Sequence, residues 1–392
     1  MEEEMTRAEK KPRKKWKLGV TGKIVIAVLL TLLLSTGLWC LVLGRGGLAM
    51  MQAWLLAKYA FVDTEADLDH AVDQGLSAFV SGLGDRWSYY LNGKGYQDTT
   101  ERRANSYVGV GVTVDSVSRE EGLLVLSVTR NGPADKAGIA AGDVIIAVDG
   151  ESIAGEARST ATEKVTGDAG TKVTLTLLGK DGSTRDVTCT RASLHNASAQ
   201  GAMLEGDVGW VRLINFYSGS ADSFKQEVDA LIELGAKCLI VDVRNDPGGY
   251  VSELEQILDY LLPEGPVFTQ KPRWGFQSVY QSDADCVDLP MAVLVNRSSY
   301  SAAELLAAQI RESVGAPIVG EVTSGKGYSQ VTFPLINGGG LGLSTAAYFT
   351  GSGHSLIGEG IIPDVELSLP EGASIGGGND IQLQAALELL GK

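Results

Sequence analysis

Three serines stand just before an alanine- and leucine-rich run in NRSSYSAAELLAAQI (residues 296–310). A hydroxyl placed there has two uses. Ser301-Ala-Ala-Glu304 is a capping box, with the hydroxyl for the third backbone N–H and the glutamate reaching back to the cap. The same helix start gathers free N–H groups and the positive end of the dipole, which favours a developing oxyanion. The N–H of Ala302, with one from Gly248 or Gly249 in NDPGG, would then form an oxyanion hole. The alternative for NDPGG is a plain tight turn between a strand and a helix.

A serine nucleophile needs a base. Lys326, flanked by glycines in SGKGYSQ, can serve if it is neutral. Its pKa must then fall by roughly 3, at a cost of about 4 kcal/mol, which calls for a dry pocket without a close carboxylate. Otherwise it is a solvated surface charge. Gln330 shares a face with Lys326 whether the segment is a strand or a helical turn. A neutral amide can orient a neutral amine without recharging it, as an aspartate would.

Other chemistries find less support. His70 lies in a helical run and reads as a surface residue, His195 falls in a linker, and His354 sits in the glycine-rich GSGHS. A serine–histidine enzyme using His354 is a remote alternative. No CxxC or HExxH pattern occurs, so no metal site is expected. Cys189, Cys238 and Cys286 are widely separated, and Cys40 lies in an apolar stretch; buried free thiols are the expected state.

The elements that must position Ser301 and Lys326 follow from the pattern of residues 207 onward. A strand (VGWVRLINF), a helix (SADSFKQEVDALIELG) and an apolar strand (KCLIVDVR) come first. NDPGG, a helix (SELEQILDYLL), another strand (MAVLVN) and the serine-led helix follow. Alternation of this kind predicts parallel strands, whose carboxyl ends gather reactive groups. NDPGG and the serine cluster each come just after such a strand.

From about residue 105 to 192 short β-rich runs alternate with Gly, Asp and Asn turns, and short helices fit PADKAG and residues 159–165. The YVGVGV loop (107–112) and NGPADKAGIAAGDVIIAVDG (131–150) resemble a PDZ domain in the circularly permuted bacterial arrangement. In such a domain the backbone N–H groups of Val108, Gly109, Val110, Gly111 and Val112 would capture a peptide's C-terminal carboxylate while the peptide adds as a strand.

The 392 residues carry a net charge of −15, unevenly spread. Residues 1–23 hold eight basic side chains against four glutamates, which leaves the rest of the chain at −19. So acidic a body argues against a nucleic-acid partner, because phosphate binding needs a basic face. Residues 24–43 form 20 consecutive uncharged positions, roughly 30 Å of helix, enough to cross a bilayer core. The preceding lysines place the N-terminus in the cytoplasm. An uncleaved anchor is expected, since the apolar core of a cleaved signal peptide would be shorter, roughly 7–15 residues.

Taken together, LGDRWSYYL, the PDZ-like block, DVRNDPGG, NRSSYSAAE, GEVTSGKGYSQ, GEGIIPDV (358–365) and the closing IQLQAALELL resemble the carboxyl-terminal processing peptidases, or tail-specific proteases. The likeness runs from about residue 63 to the end. It implies that Ser301 is the nucleophile, Lys326 the general base and Gln330 the residue that completes the set. Glu304 still helps begin the helix, and Ser298 and Ser299 are turn or capping residues. It also implies cleavage of polypeptides near free C-termini, no metal or cofactor, and a single-pass protein of a bacterial cell membrane with its catalytic part outside the cytoplasm. A homo-oligomer or a regulatory partner is compatible with it.

Departures from the family pattern are Asp246, where asparagine is commoner, and Gly351 and His354, where proline and arginine are usual. The Asn-X-Ser sequons at Asn196 and Asn296 read as accidental.

The expected architecture is α/β and α+β multidomain. It comprises a basic tail (1–23), a transmembrane helix (24–43), a helical region (44–104), a PDZ domain (105–195) and a protease core (196–392). The rivals are a tail-binding adaptor on an inactive core, and a protease held off until the PDZ domain moves.

Overall fold

A computed structural model describes residues 20–115, 121–155 and 158–392; most of the basic tail lies outside them. The described residues fall into two compact units, one ending at Leu76 and the other beginning at Ser77. In the first, a helix runs over Val20–Ala60 and is interrupted only at Gly44, whose φ of 60° and ψ of −172° are not helical. Its apolar side chains are exposed along its length, and by length and composition it can cross a membrane. It extends well past the 24–43 window read from the sequence.

The second unit is organised around a six-stranded sheet. Its strands run, in spatial order, Ala199–Leu204, Val208–Leu213, Cys238–Asp242, Met291–Val295, Ile318–Gly320 and Val365–Glu366. The first pair is antiparallel and every later pair parallel. Cys238–Asp242 and Met291–Val295 are buried at every position, as parallel strands covered on both faces must be. Helices Ser220–Glu233, Val251–Leu261 and Ala302–Val314 supply Phe224, Ile257 and Leu306 to the core on one face. Ile381–Leu389 covers the other with Leu383 and Ala386.

That last helix is pinned through Arg244, which is completely buried. Its guanidinium bonds Asp242 at 2.6 Å and the helix's N-cap Asp380 at 2.8 Å, and Trp210 also donates to Asp242. The strand end that leads into NDPGG is therefore fixed.

A second, antiparallel sheet stands beside the first. Gly340–Thr350 pairs with Tyr89–Leu91, Tyr328–Pro334 and Gly265–Pro272, and the last of these also pairs with Ser278–Ser282. Tyr89–Leu91 and the helix Gly93–Ala104 come from the segment read as a helical region, so that segment also contributes a strand to this sheet. The helix begins at Asn92, whose side chain accepts the Gly95 N–H, and ends at Asn105 in the left-handed region.

Between Asn105 and Asn196 the chain leaves and re-enters this core through an antiparallel ribbon, Ser106–Gly109 against Ala192–His195. The inserted sheet runs Val112–Asp115, Leu123–Val128, Val144–Val148, Lys172–Leu178 and Thr184–Thr190, with Glu151–Ser152 paired on Val144–Val148. Alternate residues of Lys172–Leu178 point into its own small core with Leu123, Ile145 and Ile153, the period of two that a one-faced sheet demands. All four cysteines are free; Cys189 and Cys238 are buried, Cys286 half-buried and Cys40 exposed.

Candidate active site

Ser301 follows the buried strand Met291–Val295 and opens the helix Ala302–Val314. It carries φ 63° and ψ −121°, a conformation a side chain rarely accepts. A residue held there costs of order 1–3 kcal/mol and persists only where its surroundings fix it. The fixing contacts are visible. Ser299, completely buried, donates its hydroxyl to the Val243 carbonyl at 2.7 Å, and the Tyr300 N–H donates to the Asp246 carbonyl. Asn245 and Asn296 exchange hydrogen bonds at 3.0 and 2.8 Å. The serine turn and NDPGG are thereby stitched to each other, and Ser299 is a turn residue.

Gly248 is where the two turns touch. Its φ is +77°, and a Cβ there would lie 2.9 Å from Ser301 Cβ and 3.0 Å from the Ala302 nitrogen. Its N–H, however, donates to Asp246 Oδ1 at 2.7 Å. Of the oxyanion donors expected from the sequence, Gly248 is therefore already engaged. Ala302 and Gly249 have no protein acceptor for their N–H groups among the described residues. Asp246 is completely buried and its Oδ2 has no partner; burial pushes its carboxyl well above the usual range, toward the neutral acid that resembles asparagine.

Glu304 is the hub of the site. Besides the Ser301 N–H at 2.9 Å, its buried carboxylate accepts the Thr323 hydroxyl at 2.5 Å and the N–H groups of Gly325 at 2.7 Å and Lys326 at 3.0 Å. One side chain thus ties the serine to the lysine loop. The capping-box reading sees only the first of these bonds, because the others come from residues remote in sequence.

Lys326 and Ser301 line one cavity of about 760 Å³. The amine lies 5.2 Å from the Trp87 ring and 5.7 Å from that of Tyr300. Burial, reinforced by the positive charge of Arg103, lowers its pKa to about 8. No aspartate or glutamate lines the cavity, but Glu304 and Asp85 behind its wall both act to raise the value, and burial outweighs them. Tyr348, buried in the same wall, donates its hydroxyl to the Lys326 carbonyl.

Gln330 lines the cavity too, but its amide donates to the Tyr328 carbonyl at 2.9 Å and to Ser344 Oγ at 3.3 Å. Among the described residues no hydrogen bond joins Lys326 Nζ to either Gln330 or Ser301. Such bonds often tighten only once substrate is bound. Trp87, Tyr300, Tyr348 and Arg103 are members of the site that residue types and spacing did not single out. Trp87 sits 239 positions from Lys326, so only the fold brings them together.

In the inserted domain, Gly109, Val110, Gly111 and Val112 line an apolar cavity of about 120 Å³ with Leu123, Ile145, Thr162 and Val165. Val108 does not; it pairs with Ser193 in the connecting ribbon. His354 and Gly351 lie in a turn on the other side of Gln309, whose side chain accepts the Gly351 N–H, and His195 packs against Gly219. None of the three lines the cavity that holds Ser301.

Comparison with known proteins identifies both parts. The family model for Peptidase family S41 matches residues 207–367, and that for the PDZ domain matches residues 99–178. A carboxy-terminal-processing protease of Bartonella bacilliformis is 33% identical over 79% of this chain and 72% of its own length. A carboxyl-terminal-processing protease of Synechocystis is 30% identical over 86% and 81%. Among solved structures, a photosystem II D1 C-terminal processing protease shares 26% identity over 88% of this chain and 97% of its own, with a TM-score of 0.47. A chain that aligns with such proteases through both its cleft and its inserted domain belongs to peptidase family S41, as a carboxyl-terminal processing serine protease with a PDZ domain.

Proposed function

We propose that the protein is a membrane-anchored endopeptidase in which Ser301 and Lys326 form the catalytic dyad. The observation that carries this is a serine at a strained helix start sharing one cavity with a lysine whose pKa is lowered to about 8. Near neutral pH about one lysine in ten is then the free amine that can accept the Ser301 proton. Ser301 Oγ attacks the scissile carbonyl, and Lys326 takes its proton and returns it to the leaving amine. Water then releases the acyl group from Ser301. The N–H groups of Ala302 and Gly249 hold the oxyanion, and Gln330 turns to orient the lysine amine.

The substrate's C-terminal tail adds as a strand beside Val112–Asp115, its carboxylate on the loop Gly109–Val112 and its last side chain in the apolar groove. Helix Val20–Ala60 anchors the chain through residues 24–43, with the catalytic part on the extracytoplasmic side of a bacterial membrane. The test incubates an unfolded protein with wild type, Ser301→Ala and Lys326→Ala. Cleavage by wild type alone is expected; equal cleavage by all three would remove both residues from the mechanism.

A second reading, in which the PDZ domain gates the core, is favoured by the position of Gln330, turned onto Tyr328 and Ser344. A tail peptide added in trans should then accelerate cleavage of a short reporter that lacks a PDZ-binding end. No acceleration at saturating peptide would count against gating.

A further inference from the structure

The cavity that holds Ser301 is lined by Arg86, Arg102, Arg103 and Lys326 and by no aspartate or glutamate, in a protein of net charge −15. Ordinary structural roles account for two of the arginines. Arg86 donates to the Ser324 carbonyl at 2.6 Å and lies over the Trp87 ring, and Arg102 reaches back to Thr99 on its own helix. Arg103 has neither a hydrogen-bond nor an ion-pair partner for its guanidinium among the described residues. It is half-buried and lines the same cavity as Ser301, Tyr300 and Lys326, and its charge bears on both Lys326 and Tyr300. A cation near the C-terminus of helix Gly93–Ala104 also gains from the dipole, but a fully exposed side chain there would gain it as well.

A partly desolvated guanidinium left unpaired, in a cleft built to receive a peptide, needs an anion from the substrate. We propose that Arg103 is a substrate-binding residue whose guanidinium takes a peptide carboxylate close to the scissile bond. This carboxylate site is separate from the PDZ groove. The inference rests on the cleft being the peptide-cleaving site. The carboxylate has two possible sources, an acidic side chain near the cut or the α-carboxylate of a short tail lying in the cleft. Arg102, exposed at the rim, adds to the field that draws the anion in.

The experiment measures binding, so that it stands apart from which residue attacks. Full-length Ser301→Ala protein in detergent micelles is titrated with fluorescent decapeptides, alone and combined with Arg103→Gln or Arg103→Lys. One peptide pair is C-terminally amidated and differs only by Asp against Asn; a second pair is neutral in its side chains and differs only by free acid against amide. The charged member of at least one pair should bind roughly tenfold tighter, an advantage lost in Arg103→Gln and partly restored in Arg103→Lys. The pair that responds identifies the source. Carboxylate preference undiminished in Arg103→Gln would assign it to the PDZ groove and overturn the proposal, as would its absence from Ser301→Ala itself. Peptide hydrolysis by Ser301→Ala would instead count against the catalytic reading and leave the binding result intact.

Discussion

Lys326 works against two carboxylates and is still lowered to about 8, because burial costs the ammonium more than Glu304 and Asp85 return. Its sign fixes the pH dependence. The amine is a base only when deprotonated, so kcat/KM should climb about tenfold per pH unit below 8 and level off above it. Arg103→Gln removes a positive charge that disfavours the ammonium, so the inflection should move to higher pH. A pH–rate profile on a neutral amidated peptide checks both, and an inflection left in place would detach Arg103 from the base. Glu304 carries a second prediction. Glu304→Gln sets an N–H₂ group against donors that now share two carboxylate oxygens, which should destabilise the protein by about 2–4 kcal/mol. Urea denaturation would measure that loss, and kcat should fall with it because Ser301 and the Lys326 loop lose their common tie. At this scale Ser301, Lys326 and Glu304 are legible as types at suggestive spacings. The pKa of Lys326 is not, since it depends on Trp87, Tyr300 and Arg103, which are distant in sequence.

The strands that carry the site are easier to read, because parallel strands buried on both faces are continuous apolar runs. KCLIVDVR and MAVLVN are such runs, and each delivers a polar turn at its carboxyl end. The antiparallel sheet is harder. Its strand Tyr89–Leu91 is only three residues long and pairs with Gly340–Leu341–Gly342, so no local period betrays it. The closest approach in the site is likewise a matter between elements. Gly248→Ala would force a Cβ to 2.9 Å from both Ser301 Cβ and the Tyr300 carbonyl, at a φ that alanine tolerates poorly. The serine turn must then shift. Activity should fall at least 100-fold while the melting temperature drops by only a few degrees. Wild-type activity in Gly248→Ala would mean that the two turns do not set the geometry of the nucleophile.

For the whole molecule, the residue pattern distinguishes an apolar N-terminal stretch, a β-rich stretch from about 105 to 192 and an α/β stretch from 207 onward; in the structure the chain leaves and re-enters the core through the ribbon Ser106–Gly109 and Ala192–His195. What composition cannot convey is that residues 85–104 belong to the wall of the cleft, a consequence of long-range pairing. The anchor makes a prediction at this scale. Full-length protein should sediment with membranes and resist extraction by salt, and deletion of residues 1–45 should release it as soluble protein; equal distribution of the two forms would remove the anchor. The central claim concerns one oxygen atom and is tested by finding the acyl group. Wild-type protein mixed with an excess of a peptide ester at pH 6, where deacylation through Lys326 is slow, would be quenched in acid and digested for mass spectrometry. The account predicts the acyl mass on the peptide that contains Ser301, and none in Ser301→Ala. An acyl group on any other residue, or turnover by Ser301→Ala at the wild-type rate, would contradict it.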